Sequence, residues 1–208
     1  MKNTKLESLE RIIITGFVMG FLALVVTHFF SPYLNHPLGI GMVTTAEKKG
    51  IAKDEHVKWA VQNMLKLNKQ GEVFSQWKEV NAMTDVTGFG LLGHLTEICK
   101  SSAVSAEIKR SDVPQLDPQI WQSYFEQKSV PGGTTRNFNS YGHHISPMSD
   151  LSKTLLCDPQ TSGGLLVSVN AEHQSEFESK CKELLDLNLT PFGKIIAKED
   201  EFLVRVSD

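Results

Sequence analysis

Cysteine is scarce in this sequence. Cys99, Cys157 and Cys181 are the only three in 208 residues, and no two of them form a CxxC. That argues against a disulfide framework or a thiolate zinc site and favours a reducing compartment. The seven histidines contain no HxxxH or HExxH pair, so a helix-borne catalytic zinc site is not expected. A dense run of Lys or Arg is missing as well, and 21 basic against 24 acidic residues leave a net charge of -3. Nucleic acid is therefore not an expected partner. Internal repeats and low-complexity tracts are absent. Formal charge is absent from one long stretch, Ile12 to Leu34, and fourteen of the nineteen residues from Ile12 to Phe30 are apolar. This approaches the ~20 residues that span a bilayer as a helix. No A-x-A cleavage pattern accompanies it, so a membrane helix over residues 12–30 is expected in preference to a signal peptide.

A hydrophobic content of 40% is ample for a core. Composition becomes ordinary beyond the Ser31-Pro32 break, which separates an apolar segment, residues 1–34, from one domain, residues 35–208. PLGIGMVTT, from Pro37, suggests a strand, and Asp54 is placed to cap a helix whose Val57, Ala60, Val61, Met64 and Leu65 keep helical spacing. Val80–Met83, Val104–Ile108, TLLCD from Thr154, LLVSV from Leu165, FGKIIA from Phe192 and FLVRV from Phe202 read as strands. Helices are expected after TDVTGFG, with Leu91, Leu92, Leu95, Ile98 and Cys99 on one face, over Pro118–Gln127, and around Phe177 and Cys181. In the last of these Glu176 and Lys180 form a favourable i,i+4 pair. PGGTTRNFNSYGHHISP has the composition of a long functional loop. Hairpin-like pairs near the C-terminus argue against a purely parallel sheet. The expected class is α+β (mixed α/β), a layered mixed sheet with helices.

Three glycine-bearing segments could carry chemistry. In TDVTGFG a strand ends at Asp85, and Thr87, Gly88 and Gly90 precede a helix whose first amides and partial positive charge suit phosphate oxygens. Asp85 could hold a hard cation such as Mg²⁺, or Asp and Thr here could simply cap the helix. CDPQTSGG repeats an acid, a hydroxyl pair and glycines, with Thr161, Ser162, Gly163 and Gly164 as candidates. PGGTTRN offers Gly132, Gly133, Thr134 and Arg136, whose guanidinium could clamp a phosphate or stand solvated at the surface. Cys157 has no sequence-adjacent base and reads as buried and inert. His94 reads as a hydrogen-bonded residue at the core edge.

PLGIGMVTTAEKKG, AMTDVTGFGLLGHL, VSAEI, VPGGTTRN and LLCDPQTSGGLLVSV, in that order, resemble the selenophosphate synthetase family (selenide, water dikinase). The resemblance runs from about Pro37 to the C-terminus and covers the family's C-terminal domain, shared in outline with aminoimidazole ribonucleotide synthetase. It implies that fold, ATP as substrate, Mg²⁺ as cofactor, and conversion of ATP, selenide and water to selenophosphate, AMP and orthophosphate. Asp85 matches the family's metal-ligand aspartate in this domain. The family's N-terminal domain, with its reactive Cys or selenocysteine and catalytic Lys, has no counterpart in residues 1–34, and His36 stands where a Lys is expected before PLG. A separate N-terminal domain is therefore the expected partner, and the chain alone is expected to be inactive. A non-catalytic remnant and a membrane-tethered nucleotide- or anion-binding module are the alternatives. An uncovered apolar face implies self-association as a homodimer. The expected location is a cytoplasmic domain, membrane-anchored through residues 12–30.

Overall fold

The computed structural model describes residues 30–208. The segment expected to cross a membrane, residues 12–30, lies outside these apart from Phe30. Among the described residues no helix is long and apolar enough to cross a membrane.

Six strands form one sheet: β1 (Phe30–Leu34), β2 (Val80–Asp85), β3 (Val104–Lys109), β4 (Leu165–Asn170), β5 (Gly193–Ala197) and β6 (Val204–Ser207), in the order β2-β4-β1-β5-β3-β6. Neighbours are antiparallel except β3 with β6, so the sheet is mixed, as expected. The last two strands make no hairpin, because β3 lies between them. β1 pairs from Phe30↔Asn170 to Leu34↔Leu166. Residues 30–34, grouped by composition with the apolar segment, are thus a central strand. A short apolar run reads alike as the end of a long helix and as a buried strand.

Period-two alternation divides the sheet into two faces. Tyr33, Leu165, Val167 and Val169 pack with Phe74, Phe177 and Cys181 on one side. Leu34, Leu166, Ala106, Ile108, Ile195 and Val204 belong to the larger core on the other. Eight helices are described: α1 (Ile40–Lys48), α2 (Asp54–Met64), α3 (Gln70–Phe74), α4 (Gly90–Ser102), α5 (Pro118–Glu126), α6 (Gly132–Tyr141), α7 (Asp150–Leu156) and α8 (Gln174–Leu185). α3 and α8 cover the smaller face, and α4 lays Leu91, Leu92, Leu95 and Cys99 into the larger core. Lys180 of α8 bridges Glu176 at 2.9 Å, the pair expected from sequence, and also reaches the buried Glu79 at 2.8 Å.

Three segments depart from expectation. PLGIGMVTT is no strand: Gly39, at φ +116°, turns the chain into α1, whose Met42, Val43 and Ala46 pack into the larger core, with Ile40 buried as well. TLLCD lies largely in α7, which starts at Ser149, whose Oγ accepts from the Ser152 amide at 3.1 Å. PGGTTRNFNSY is α6, with Thr134, Asn137 and Tyr141 buried at helical spacing; the polarity of that buried face concealed it. Asp54 begins α2 without capping it, and acts only as a first-turn charge.

Candidate active site

Strand pairing builds the site. Asp85, the last residue of β2, is the register partner of Leu165, the first of β4. The TDVTGFG and CDPQTSGG segments therefore emerge side by side. The Val86 amide donates to Gly164 O at 2.8 Å and the Gln160 amide to Thr87 O at 3.1 Å. α6 closes the corner, since Asn137 Nδ2 donates to Gly88 O at 2.7 Å and to Cys157 O at 3.1 Å. All three glycine-bearing segments singled out from sequence thus meet at one end of the sheet. Asp85, Gly88, Arg136, Thr161 and Ser162 are exposed there, and Thr134 is buried with Oγ1 unpartnered among the described residues. Neither Asp85 nor Thr87 caps α4: the cap position is Phe89, and no side chain bonds the first-turn amides.

The glycines separate into two kinds. A Cβ on Gly163 would lie 1.9 Å from Val86 O, on Gly164 2.5 Å from Asn35 Oδ1, on Gly90 2.7 Å from the Cys157 carbonyl carbon, and on Gly133 3.0 Å from Pro159 Cγ. These four are small because the protein's own segments press against them. Gly88 has nothing within 4 Å, and Gly132 meets only the Arg136 guanidinium at 3.4 Å. Only at these two does open space leave a ligand room to approach.

Beneath the corner lies Asp158, fully buried. Its Oδ2 accepts from the Gly41 amide at 2.9 Å and from Gln160 Nε2 at 2.7 Å. It thereby caps α1 from 117 positions away along the chain, which supplies the acceptor that Gly39 lacks. Gly41 admits it, because a Cβ there would sit 2.4 Å from Asp158 Oδ1. Burial drives the Asp158 carboxyl up to about 7, against the opposing pull of Gln160 and the Gly41 and Met42 amides.

Asn137 is the residue that inspection of the motifs passed over, and Asp158, the acid noted in CDPQTSGG, carried no assigned role there. The RN of PGGTTRN drew attention to Arg136, whereas it is the asparagine that ties two loops together. His94 is hydrogen-bonded at the core edge, as expected: Nε2 accepts from the Thr87 amide at 3.2 Å, which leaves Nδ1–H to face Glu97 Oε2 at 3.2 Å. Cys157 is buried, and burial raises its thiol to about 11, so it is no poised nucleophile. Cys99 and Cys181 are likewise raised to about 12.

The family model described as AIR synthase related protein, C-terminal domain, matches residues 31–205. The selenide, water dikinase of Colwellia psychrerythraea is 52% identical over 165 residues, covering 79% of this chain and 47% of that protein. Its namesake in Pasteurella multocida is 48% identical over 170 residues, covering 81% and 47%. The chain thus spans about half the length of the curated relatives it matches. Among solved structures, thiamine-monophosphate kinase from Stenotrophomonas maltophilia superposes with a TM-score of 0.58 at 15% identity, covering 86% of this chain and 50% of that one. The E. coli hydrogenase maturation protein HypE gives 0.53 at 13%, covering 89% and 48%. At these identities the two structures speak for the fold alone.

Proposed function

The chain belongs to the AIR synthase related protein family, as a selenophosphate synthetase-like C-terminal domain, and from that premise we propose that it supplies one wall of an ATP-dependent selenophosphate-forming site. The reaction is that of ATP, selenide and water giving selenophosphate, AMP and orthophosphate. What carries the reading is the exposed Asp85 carboxylate at a strand end, beside a backbone left open at Gly88. In phosphoryl transfer a protein contributes position and charge neutralisation more than covalent chemistry.

Mg²⁺ fits Asp85 as one ligand of several. Among the described residues no cluster of three or more His, Cys, Asp or Glu is arranged to hold a metal ion. Since Mg²⁺ is bound through one or two carboxylates together with substrate phosphates, the remaining ligands come from the nucleotide and from the family's N-terminal half. When bound, the cation would neutralise charge on the phosphates. The chain's own residues hold the wall in place: Asn137 fixes the Gly88 carbonyl, His94 fixes the Thr87 amide, and Arg136 stands exposed at the start of α6 for a phosphate oxygen. Phe89, 53% exposed next to Gly88, is apolar surface suited to contact with that second half.

The purified chain should release no AMP from ATP and selenide, and should gain that activity when mixed with the N-terminal half of a selenide, water dikinase. In the mixture Asp85→Asn should abolish Mg²⁺-dependent ATP binding while leaving the thermal midpoint unchanged, since Asp85 is exposed and caps nothing. AMP release by the chain alone would refute the need for a partner. A mixture that binds no ATP, or an Asn variant that binds it like the parent, would refute the site.

A further inference from the structure

A cavity of about 430 Å³ opens on the other side of the Gly163–Gly164 turn, where Asn35 and His36 follow β1 and the α2–α3 connection passes over them. Lys66, Lys69 and Gln70 line it, and no carboxylate does. Its volume falls within the roughly 300–1,000 Å³ typical of small-molecule sites. Ten buried side-chain polar atoms lack a partner among the described residues, and three of the ten belong to residues that line it, Asn35 Nδ2, His36 Nδ1 and Gln70 Oε1, with Asn68 Oδ1 in the adjoining α2–α3 connection. Buried polar atoms are ordinarily satisfied, so such a cluster marks a place built for something else.

The other ends of the two asparagine side chains are fixed by the fold. Asn35 Oδ1 accepts from the Leu165 amide at 2.6 Å, and Asn68 Nδ2 donates to Gly163 O at 2.8 Å. Each amide is thereby held in one orientation, with Nδ2 of Asn35 left as a donor and Oδ1 of Asn68 left as an acceptor. His36 is only 6% exposed, and burial together with the nearby Lys66 lowers its pKa. Burial and Lys66 favour the uncharged imidazole, and with no carboxylate in the lining the two ammonium groups meet no opposite charge there.

We infer that this cavity binds a small phosphate-bearing anion, neutralised by Lys66 and Lys69 and hydrogen-bonded by Asn35 Nδ2. Gln70, as an acceptor, takes a hydroxyl hydrogen of a hydrogen phosphate or of the group esterified to it. The volume exceeds that of orthophosphate alone, so a phosphomonoester fits. The cavity shares no residue with the Asp85 wall and the inference does not rest on the phosphoryl-transfer reading.

Calorimetric titration of the full chain with orthophosphate and, separately, AMP tests it, with EDTA present so that no divalent cation contributes. Both probes should bind saturably. Tighter binding of AMP would mean the space beyond the phosphate is used, and equal binding that the phosphate group alone is recognised. Lys66→Gln and Lys69→Gln should each weaken binding about tenfold, as expected for loss of a charge-assisted contact. The double variant should lose saturable binding, whereas Lys58→Gln with Lys182→Gln, which removes equal charge from exposed positions elsewhere, should keep it. Thermal midpoints verify that each variant is folded. Absence of saturable binding by the parent chain, or equal loss in the two double variants, would overturn the inference. Phosphate binding that persists while the mixture with the N-terminal half releases no AMP would sink the catalytic reading and leave this one standing.

Discussion

Gly163→Ala should destabilise the domain by about 3 kcal/mol or more, the range of severe overpacking, and should do so without any ligand present. The added methyl would lie 1.9 Å from Val86 O and 2.9 Å from Gln160 Cβ. The turn has nowhere to retreat. Its own carbonyl accepts from Asn68 Nδ2 at 2.8 Å, and the Gly164 carbonyl accepts from the Val86 amide at the same distance. Backing away would break one or both and loosen the register of β2 on β4. Gly88→Ala is the contrasting case: with nothing within 4 Å and no left-handed backbone to strain, its stability should change by no more than about 0.5 kcal/mol. If Gly88 lies where a ligand approaches, this same silent change should weaken ATP binding in the mixture with the N-terminal half. Denaturant midpoints separate the two glycines, and equal destabilisation by both would defeat the division between packing glycines and approach glycines.

That division shows how far the motifs can be read unaided. Spacing and alternation give α2, α4, α5 and α8 and strands β2 to β6, because in each the signal is local: a buried stripe such as Phe177 and Cys181, or an apolar alternation such as Leu165 to Val169. α1 fails because the acceptor that makes its first turn comfortable is Asp158, distant along the chain, and its Ile-Gly-Met-Val-Thr-Thr run has strand propensity. α6 fails because its buried face is Thr134, Asn137 and Tyr141, which no hydrophobicity pattern detects. α7 carried legible start signals in Ser149 and Asp150, overshadowed by the apolar Leu155-Leu156 pair. The candidate loops were visible as glycine clusters. Their convergence was not, since it depends on the β2–β4 register and on Asn137 spanning Gly88 and Cys157. The family resemblance supplied the grouping that local physics could not.

Asp158 makes stability depend on pH in an unusual direction. Its carboxyl titrates at about 7 in the folded chain against an ordinary value of 3.8, because burial opposes ionisation more than Gln160 and the α1 amides favour it. Between about pH 4 and pH 7 the folded state therefore keeps a proton that the unfolded state has released. More protons bound in the native state means that stability falls as pH rises through this window, by about 4 kcal/mol at most from this group. A carboxyl with a depressed pKa would act in the opposite sense. Asp158→Asn cannot titrate and still offers an oxygen to the Gly41 amide, so its denaturant midpoint should lose this component and gain on the parent progressively above pH 5. Asp158→Ala should be less stable than the parent at pH 5, where the parent is protonated, by about 1–3 kcal/mol, because the buried Gly41 amide is left without its acceptor and Gln160 Nε2 keeps only the residue-158 carbonyl. Urea midpoints for the three proteins at half-unit steps from pH 4.5 to pH 8 decide the matter. A parent and an Asn variant that run parallel across that range would show that Asp158 is ionised throughout, and would make the cap on α1 a charged one, held by the helix N-terminus against the cost of burial.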